Sequence, residues 1–198
     1  MTTRQLPFFL SEFDAPAKQA ILTAALQLFA TRGVDGVSVR EIASLAGFTN
    51  PAMFRHFRSK DALAVSLFEA CYRQLAMGLG TAAKQAQPSL RSCIDACLGM
   101  IQTSPNAVHF VLDNLRRFWH AMPEDVKRAS LMATMKNIVV AEQKKGNLRP
   151  SIDPRMVAML VIGALAQVAR MAHFNELPKP AASMGNDLWD LLSRGIGA

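Results

Sequence analysis

Apolar residues recur along this chain with the 3.6-residue period of helices, and no strand-like alternation of useful length appears. Ile21, Ala25, Leu28 and Phe29 stand at i, i+4, i+7 and i+8, which predicts one apolar helix face over residues 17–31. Gly33 closes that helix and Asp35-Gly36 makes a turn. Periodicity restarts after Ser59 with Leu63, Leu67, Phe68, Cys71 and Leu75, a helix expected to reach about residue 86 with Gly78 and Gly80 loosening it. Helical patterns follow over 88–103, 104–121 and 122–144, the last ending in Lys144-Lys145-Gly146, cations before a stop glycine. Asp153-Pro154 opens a further helix, and Leu188, Trp189, Leu191 and Leu192 mark a short final one after the breaks at Pro178 and Pro180. The fold class is all-α, with about nine helices.

The densest start and stop signals lie between Val37 and Lys60. Ser38 and Glu41 have the spacing of a capping box, and Val37 with Ile42 that of a hydrophobic staple. Gly47 ends the short helix, because glycine accepts a left-handed conformation without a Cβ clash. Thr49 or Asn50 then caps a second helix, with Pro51 in its first turn where the missing N–H is harmless. Two short helices joined by a tight Gly-containing turn form a helix-turn-helix, whose second helix enters the major groove of DNA. That helix offers Thr49, Asn50, Pro51, Ala52, Phe54, Arg55 and His56, with Phe57 as an anchor to the core. Hydroxyl, amide and guanidinium groups can read base edges, and small residues let the backbone come close. Arg58, Ser59 and Lys60 follow at a helix start, where free N–H groups suit a phosphate.

Charge agrees with this placement. The 198 residues carry a net charge of +7, which favours a polyanionic partner. Between Ser38 and Lys60 stand Arg40, Arg55, Arg58 and Lys60 against the single carboxylate of Glu41. Half the chain is apolar, enough for a sizeable core. Cys71, Cys93 and Cys97 are too few and odd in number for a disulfide framework, and buried thiols are the expectation. No metal set at ligand spacing appears, and no cofactor is expected. Phe8-Phe9-Leu10 is broken by Ser11-Glu12 and Asp14, so a secretory signal is not expected and a reducing cytoplasm is.

At these residues the sequence resembles the TetR family of transcriptional repressors. Ala46-Gly47-Phe48-Thr49, Phe54-Arg55-His56-Phe57 and Ser59-Lys60-Asp61-Ala62-Leu63 fill the family's turn, recognition-helix and next-helix frame, and Val39-Arg40-Glu41-Ile42-Ala43 fits the helix before it. The match covers roughly residues 17 to 68. One departure is Phe54, where the family usually has a tyrosine whose phenol reaches a phosphate. The resemblance implies a small-molecule effector in a C-terminal lobe and a homodimer joined by the last two long helices. It also places His56 near phosphates, whereas its phenylalanine neighbours allow simple packing.

The resulting expectations are specific. Residues 1–16 form a flexible arm, 17–60 a three-helix DNA-binding head, and 61–198 a lobe for ligand binding and dimerisation. Base contacts fall to Thr49, Asn50 and Arg55, with Pro51, Ala52, Phe54 and His56 beside them. Phosphate contacts fall to Ser38, Arg40, Ser59 and Lys60. His109, Phe110, Asn114 and Trp119 mark a pocket for an apolar effector, since apolar walls with a few polar groups suit a small molecule. The run 156–169 is apolar except for Gln167; at fourteen residues it falls short of the ~18–20 that cross a bilayer, so no membrane partner is expected. A helix apolar on every side must be buried on every side, which points to a second subunit. Met159, Ile162, Gly163, Ala166, Arg170, Trp189 and Leu192 are the interface candidates. Arg116-Arg117 are read as a solvated face and His173 as a core or interface residue. No catalytic constellation is visible: His109, His120 and Asp113 are scattered. A helical binding or interaction dimer without sequence-specific DNA binding accounts for the last third of the chain but poorly for the first.

Overall fold

A computed structural model of the chain describes residues 10, 15–84 and 89–197. Nearly all of the expected N-terminal arm, and the expected end of the fourth helix near residue 86, lie outside the described residues. These fold into ten α-helices: α1 (Pro16–Arg32), α2 (Val39–Ala46), α3 (Asn50–Phe54), α4 (Lys60–Ala82), α5 (Leu90–Thr103), α6 (Pro105–Phe118), α7 (Glu124–Arg128), α8 (Leu131–Lys144), α9 (Pro154–His173) and α10 (Gly185–Ile196). Short 3-10 turns follow α6 and precede α10, and no named strand occurs among the described residues.

One more helix forms than the apolar pattern suggests, because the stretch 122–144 divides. Ser130 caps α8, accepting from the Ala133 N–H, and the Leu131 N–H donates to the Tyr72 hydroxyl on α4 at 3.0 Å. Both bonds satisfy donors that a continuous helix would have turned inward, so the break is stable. Tyr72 also packs its ring on Trp119 at 5.3 Å between centroids.

α4 is the longest helix and runs from the first three into the rest. Around it a continuous core extends from Ile21 on α1 through Leu67, Phe68 and Leu75 on α4 to Val161 and Leu165 on α9. α1, α2 and α3 with the start of α4 make a head; α5 to α10 wrap the remainder of α4 as a lobe. The two are in direct contact. Phe29 of α1 stacks on Phe110 of α6 at 6.0 Å, and Arg117 of α6 makes a two-pronged bond to Asp35 in the loop after α1, at 2.7 and 2.9 Å. Arg117 also lies 3.6 Å from Asp61 at the start of α4, so it is no idle solvated charge.

α9 departs from expectation in its length. The helix has 20 residues, longer than its apolar run, because Pro154-Arg155 and Arg170–His173 extend it; its length and mean hydropathy of 1.5 alone would suit a membrane span. Val157, Ala158, Val161, Leu165, Val168 and Ala169 are nevertheless packed in the core. The opposite face is uncovered in the single chain: Met156, Met159 and Leu160 are each more than half exposed.

Candidate nucleic-acid interface

The entry to α2 is closed by local chemistry. Ser38 accepts from the Glu41 N–H while the Glu41 carboxylate takes the Ser38 N–H at 2.8 Å and its hydroxyl at 2.7 Å. The Ser38 hydroxyl, then its backbone N–H, then the Arg32 guanidinium hold the Glu41 carboxyl down at about 2. Gly47 ends α2 at φ 79°, a left-handed conformation, and the Phe48 N–H returns to the Ala43 carbonyl at 2.8 Å. Thr49 is the cap of α3, its hydroxyl oxygen accepting from the Ala52 N–H.

Burial fixes which side of α3 points out. Met53 has no exposed surface and Phe57 almost none, so these two anchor the unit to Ile42, Ala43 and the α1 face. Sequence reasoning missed Met53 among its polar neighbours, where no apolar period is long enough to register. Phe54 is 46% exposed, on the outward side. Thr49, Pro51, Arg55 and His56 are exposed, Asn50 and Ala52 half-buried. His56 is therefore a surface residue and not core packing.

Arg40, Arg55, His56 and Arg58 make no hydrogen bond or ion pair with any described residue, whereas Arg32 of the same head is paired with Glu41. A guanidinium lacking a partner on its own chain presents all of its donors to whatever docks there.

Two expected phosphate contacts are placed differently. Ser38 donates its only hydroxyl proton to Glu41 and accepts from the Glu41 N–H, so its side chain has nothing left to give a phosphate. Lys60 donates to the Val37 carbonyl at 2.9 Å and is half-buried, which ties the start of α4 to the start of α2. Two further N–H groups of its ammonium remain. Ser59 caps α4 through its oxygen and keeps its proton. The positive ends of α2 and α4 are thus drawn together at one edge of the head.

In the lobe, a partly open pocket of about 80 Å³ lies between α4, α5, α6, α8 and α9, walled by residues such as Leu75, Cys97, Met100, Val111, Met135 and Ile162. Every lining residue is apolar. None of the four expected ligand residues lines it. His109, Phe110 and Asn114 border instead an open cleft of about 480 Å³ at the head–lobe junction, and Trp119 packs on Tyr72. The reason is angular: Val108, Val111 and Leu112 turn toward the cavity, so His109 and Phe110 between them turn away. His109 stacks on His173 at 3.9 Å and lies 3.2 Å from the Asp113 carboxylate. Burial holds its pKa below the usual histidine value, against the pull of Asp113.

Among the interface candidates, Met159, Gly163 and Arg170 face outward and Trp189 is half-buried. Ile162 and Ala166 are half-buried and line the pocket, and Leu192 is buried against the chain's own core. The outward apolar set comprises Met156, Met159 and Leu160 on α9 and Leu191 on α10, the last 75% exposed.

Comparison with known proteins agrees with this geometry. Residues 21–67 match the model of bacterial regulatory proteins of the tetR family. An uncharacterised HTH-type transcriptional regulator, YdgC of Bacillus subtilis (strain 168), is 23% identical over 91% of this chain and 92% of its own length. The structure of the ketosteroid transcriptional regulator KstR2 of Mycobacterium tuberculosis superposes with a TM-score of 0.77 at 19% identity, covering 91% of this chain and 95% of that one. The transcriptional regulator FadR from Bacillus subtilis, solved in complex with stearoyl-CoA, superposes with a TM-score of 0.66 at 16% identity, covering 89% and 98%. With its two-helix unit, its all-helical lobe and these matches in agreement, residues 21–67 belong to the tetR family of bacterial regulatory proteins, and the whole chain has the fold of the transcriptional regulators it resembles.

Proposed function

We propose that this regulator is a cytoplasmic repressor, without enzymatic activity, that binds a palindromic operator as a homodimer and is released by an apolar small molecule. One observation carries the DNA reading: Arg55, at the C-terminal end of α3, is exposed and has no partner among the described residues, while Thr49 at the other end keeps its hydroxyl proton. Arg55, Thr49 and Asn50 read base edges in the major groove. Arg40, Arg58, Ser59 and the remaining donors of Lys60 hold backbone phosphates, aided by the N–H groups that open α2 and α4.

The uncovered apolar face of α9 and α10 supports the dimer. Met156, Met159 and Leu160 on α9 and Leu191 on α10 are exposed apolar side chains that a second copy would cover through a two-fold contact. Two heads related by that axis would meet half-sites about 34–36 Å apart, or a multiple of this.

The effector reading rests on the cavity. At about 80 Å³ it is far smaller than the roughly 300–1,000 Å³ of ordinary ligand sites, so binding requires the lobe to widen. Methionines such as Met100 and Met135 can repack to allow it. Both α4 and α6 line the cavity and reach the head, through Lys60 at one end and through Arg117 at the other. A ligand that favours the widened state would shift the population away from the head spacing that fits the operator. The acyl-CoA in the similar FadR structure supports an apolar ligand.

A gel-shift titration over several salt concentrations tests the DNA reading. Retention of an inverted-repeat duplex should fall steeply with salt. Arg55→Ala should relax sequence preference, while Arg58→Ala should weaken all duplexes alike and flatten the salt response. Retention unchanged in both variants would refute the assignment.

A further inference from the structure

The cavity sits against an unusual seam between α4 and α5. Gly78 of α4 faces Met100 of α5 so closely that a Cβ at position 78 would lie 2.5 Å from the Met100 Sδ and 3.3 Å from its Cε. No real Cβ approaches sulfur so closely, so the thioether occupies the space that glycine leaves. Met100 is also a cavity wall, beside Leu75 and Leu79 on α4 and Cys97 and Ile101 on α5. One flexible side chain therefore both fills the notch at Gly78 and walls the cavity.

We infer that Met100, seated in the Gly78 notch, is the specificity-determining wall of the effector site, which takes an unbranched hydrocarbon chain and limits its length. This inference rests on the effector reading above. The lining offers no hydrogen-bond donor or acceptor for a ligand beyond weak sulfur groups, so only a hydrocarbon portion can be buried there without stranding a polar atom. Burial keeps the Cys97 thiol protonated, with its pKa pushed up to about 12, so the wall carries no charge from it. A small apolar pocket with Met100 and Met135 in its lining suits a flexible chain, because methionine yields to an irregular shape. A side chain at position 78 would drive Met100 out of the notch and into the ligand's space.

The test is a ladder of straight-chain primary alcohols, from hexanol to hexadecanol, titrated calorimetrically into the full chain. Wild type should bind with an affinity that rises with each carbon to a limit and then stops rising. Met100→Ala removes about three heavy atoms from the wall and should move that limit outward by about two carbons, with about tenfold tighter binding at the new optimum. Gly78→Ala should shorten the limit or abolish binding. The double variant G78A/M100A should restore it, since the added Cβ then meets no sulfur; this rescue separates a filled cavity from a misfolded lobe. If wild type shows a limit that neither variant moves, the Met100 inference is overturned and the effector reading stands. If no alcohol binds to wild type or to Met100→Ala, both fall.

Discussion

In the head, the chemistry that matters faces out, whereas in the lobe it faces in. Arg40, Arg55 and Arg58 project from α2, the end of α3 and the turn before α4 with no partner among the described residues, while the buried Met53 and Phe57 only hold the frame. Around the cavity the order is reversed: Leu75, Val111 and Met135 look inward, and charged pairs such as Arg73 with Glu69 and Asp125 occupy the outside. A surface that reads a polyanion can be assembled from short local signals, because caps and turns set the direction of each side chain. A cavity cannot. Its walls come from five helices, and which residue of each helix faces it depends on how all five pack.

That contrast separates the anchors of the head from its readers, and substitutions there should part cleanly. Met53→Ala should be the most damaging, because it leaves a hole under α3: a loss of about 2–5 kcal/mol in urea unfolding, with weakened DNA binding following from it. Phe54→Ala, one position along but outward, should stay within about 0.5 kcal/mol. Equal losses at the two positions would mean that α3 is oriented otherwise.

Arg55→Ala should leave unfolding unchanged yet reduce the preference for the operator over a one-base variant by about 1–3 kcal/mol, read from competition binding. The contact between head and lobe should be weaker still. Arg117 bonds Asp35 at an exposed site, so Arg117→Ala should lower stability by no more than about 1 kcal/mol. Its clearer readout is coupling, since a released α6 should let an apolar ligand act less strongly on DNA binding.

The smallest effect is one of pH. The Glu41 carboxyl sits at about 2 in the folded chain against 4.5 for an unperturbed glutamate, so its folded pKa is depressed. Its contribution to stability is therefore complete above the unfolded value and fades as pH falls from about 4.5 toward 2. The difference in unfolding midpoint between wild type and Glu41→Ala should shrink across that window; a difference constant with pH would contradict the capping-box account.

The same contrast explains what the sequence could reveal. Ser38, Gly47, Thr49 and Ser59 announce α2, α3 and α4 through short-range rules, and the structure places each cap where those rules put it. Asp153-Pro154 does the same for α9. The division of α7 from α8 was hidden because half of its cause lies on α4, in the Tyr72 hydroxyl that receives the Leu131 N–H. His109 and Phe110 looked like pocket residues by composition and do border the cleft between head and lobe, but a turn of about 100° per residue sets them away from the apolar pocket that Val108 and Val111 face. Lys60 looked like a free charge because its acceptor, the Val37 carbonyl, is 23 residues distant. Gly78 read as a loosened helix; its physical meaning is the room it leaves for Met100.

The most direct test of the central claim is selection of binding sites from a pool of random duplexes, followed by anisotropy titration of the enriched sequence against a scrambled one. The account predicts an enriched inverted repeat whose half-site centres lie about 34–36 Å apart or a multiple of that, bound with a preference that Arg55→Ala weakens. Enrichment of no common sequence, or equal affinity for the scrambled duplex, would contradict it.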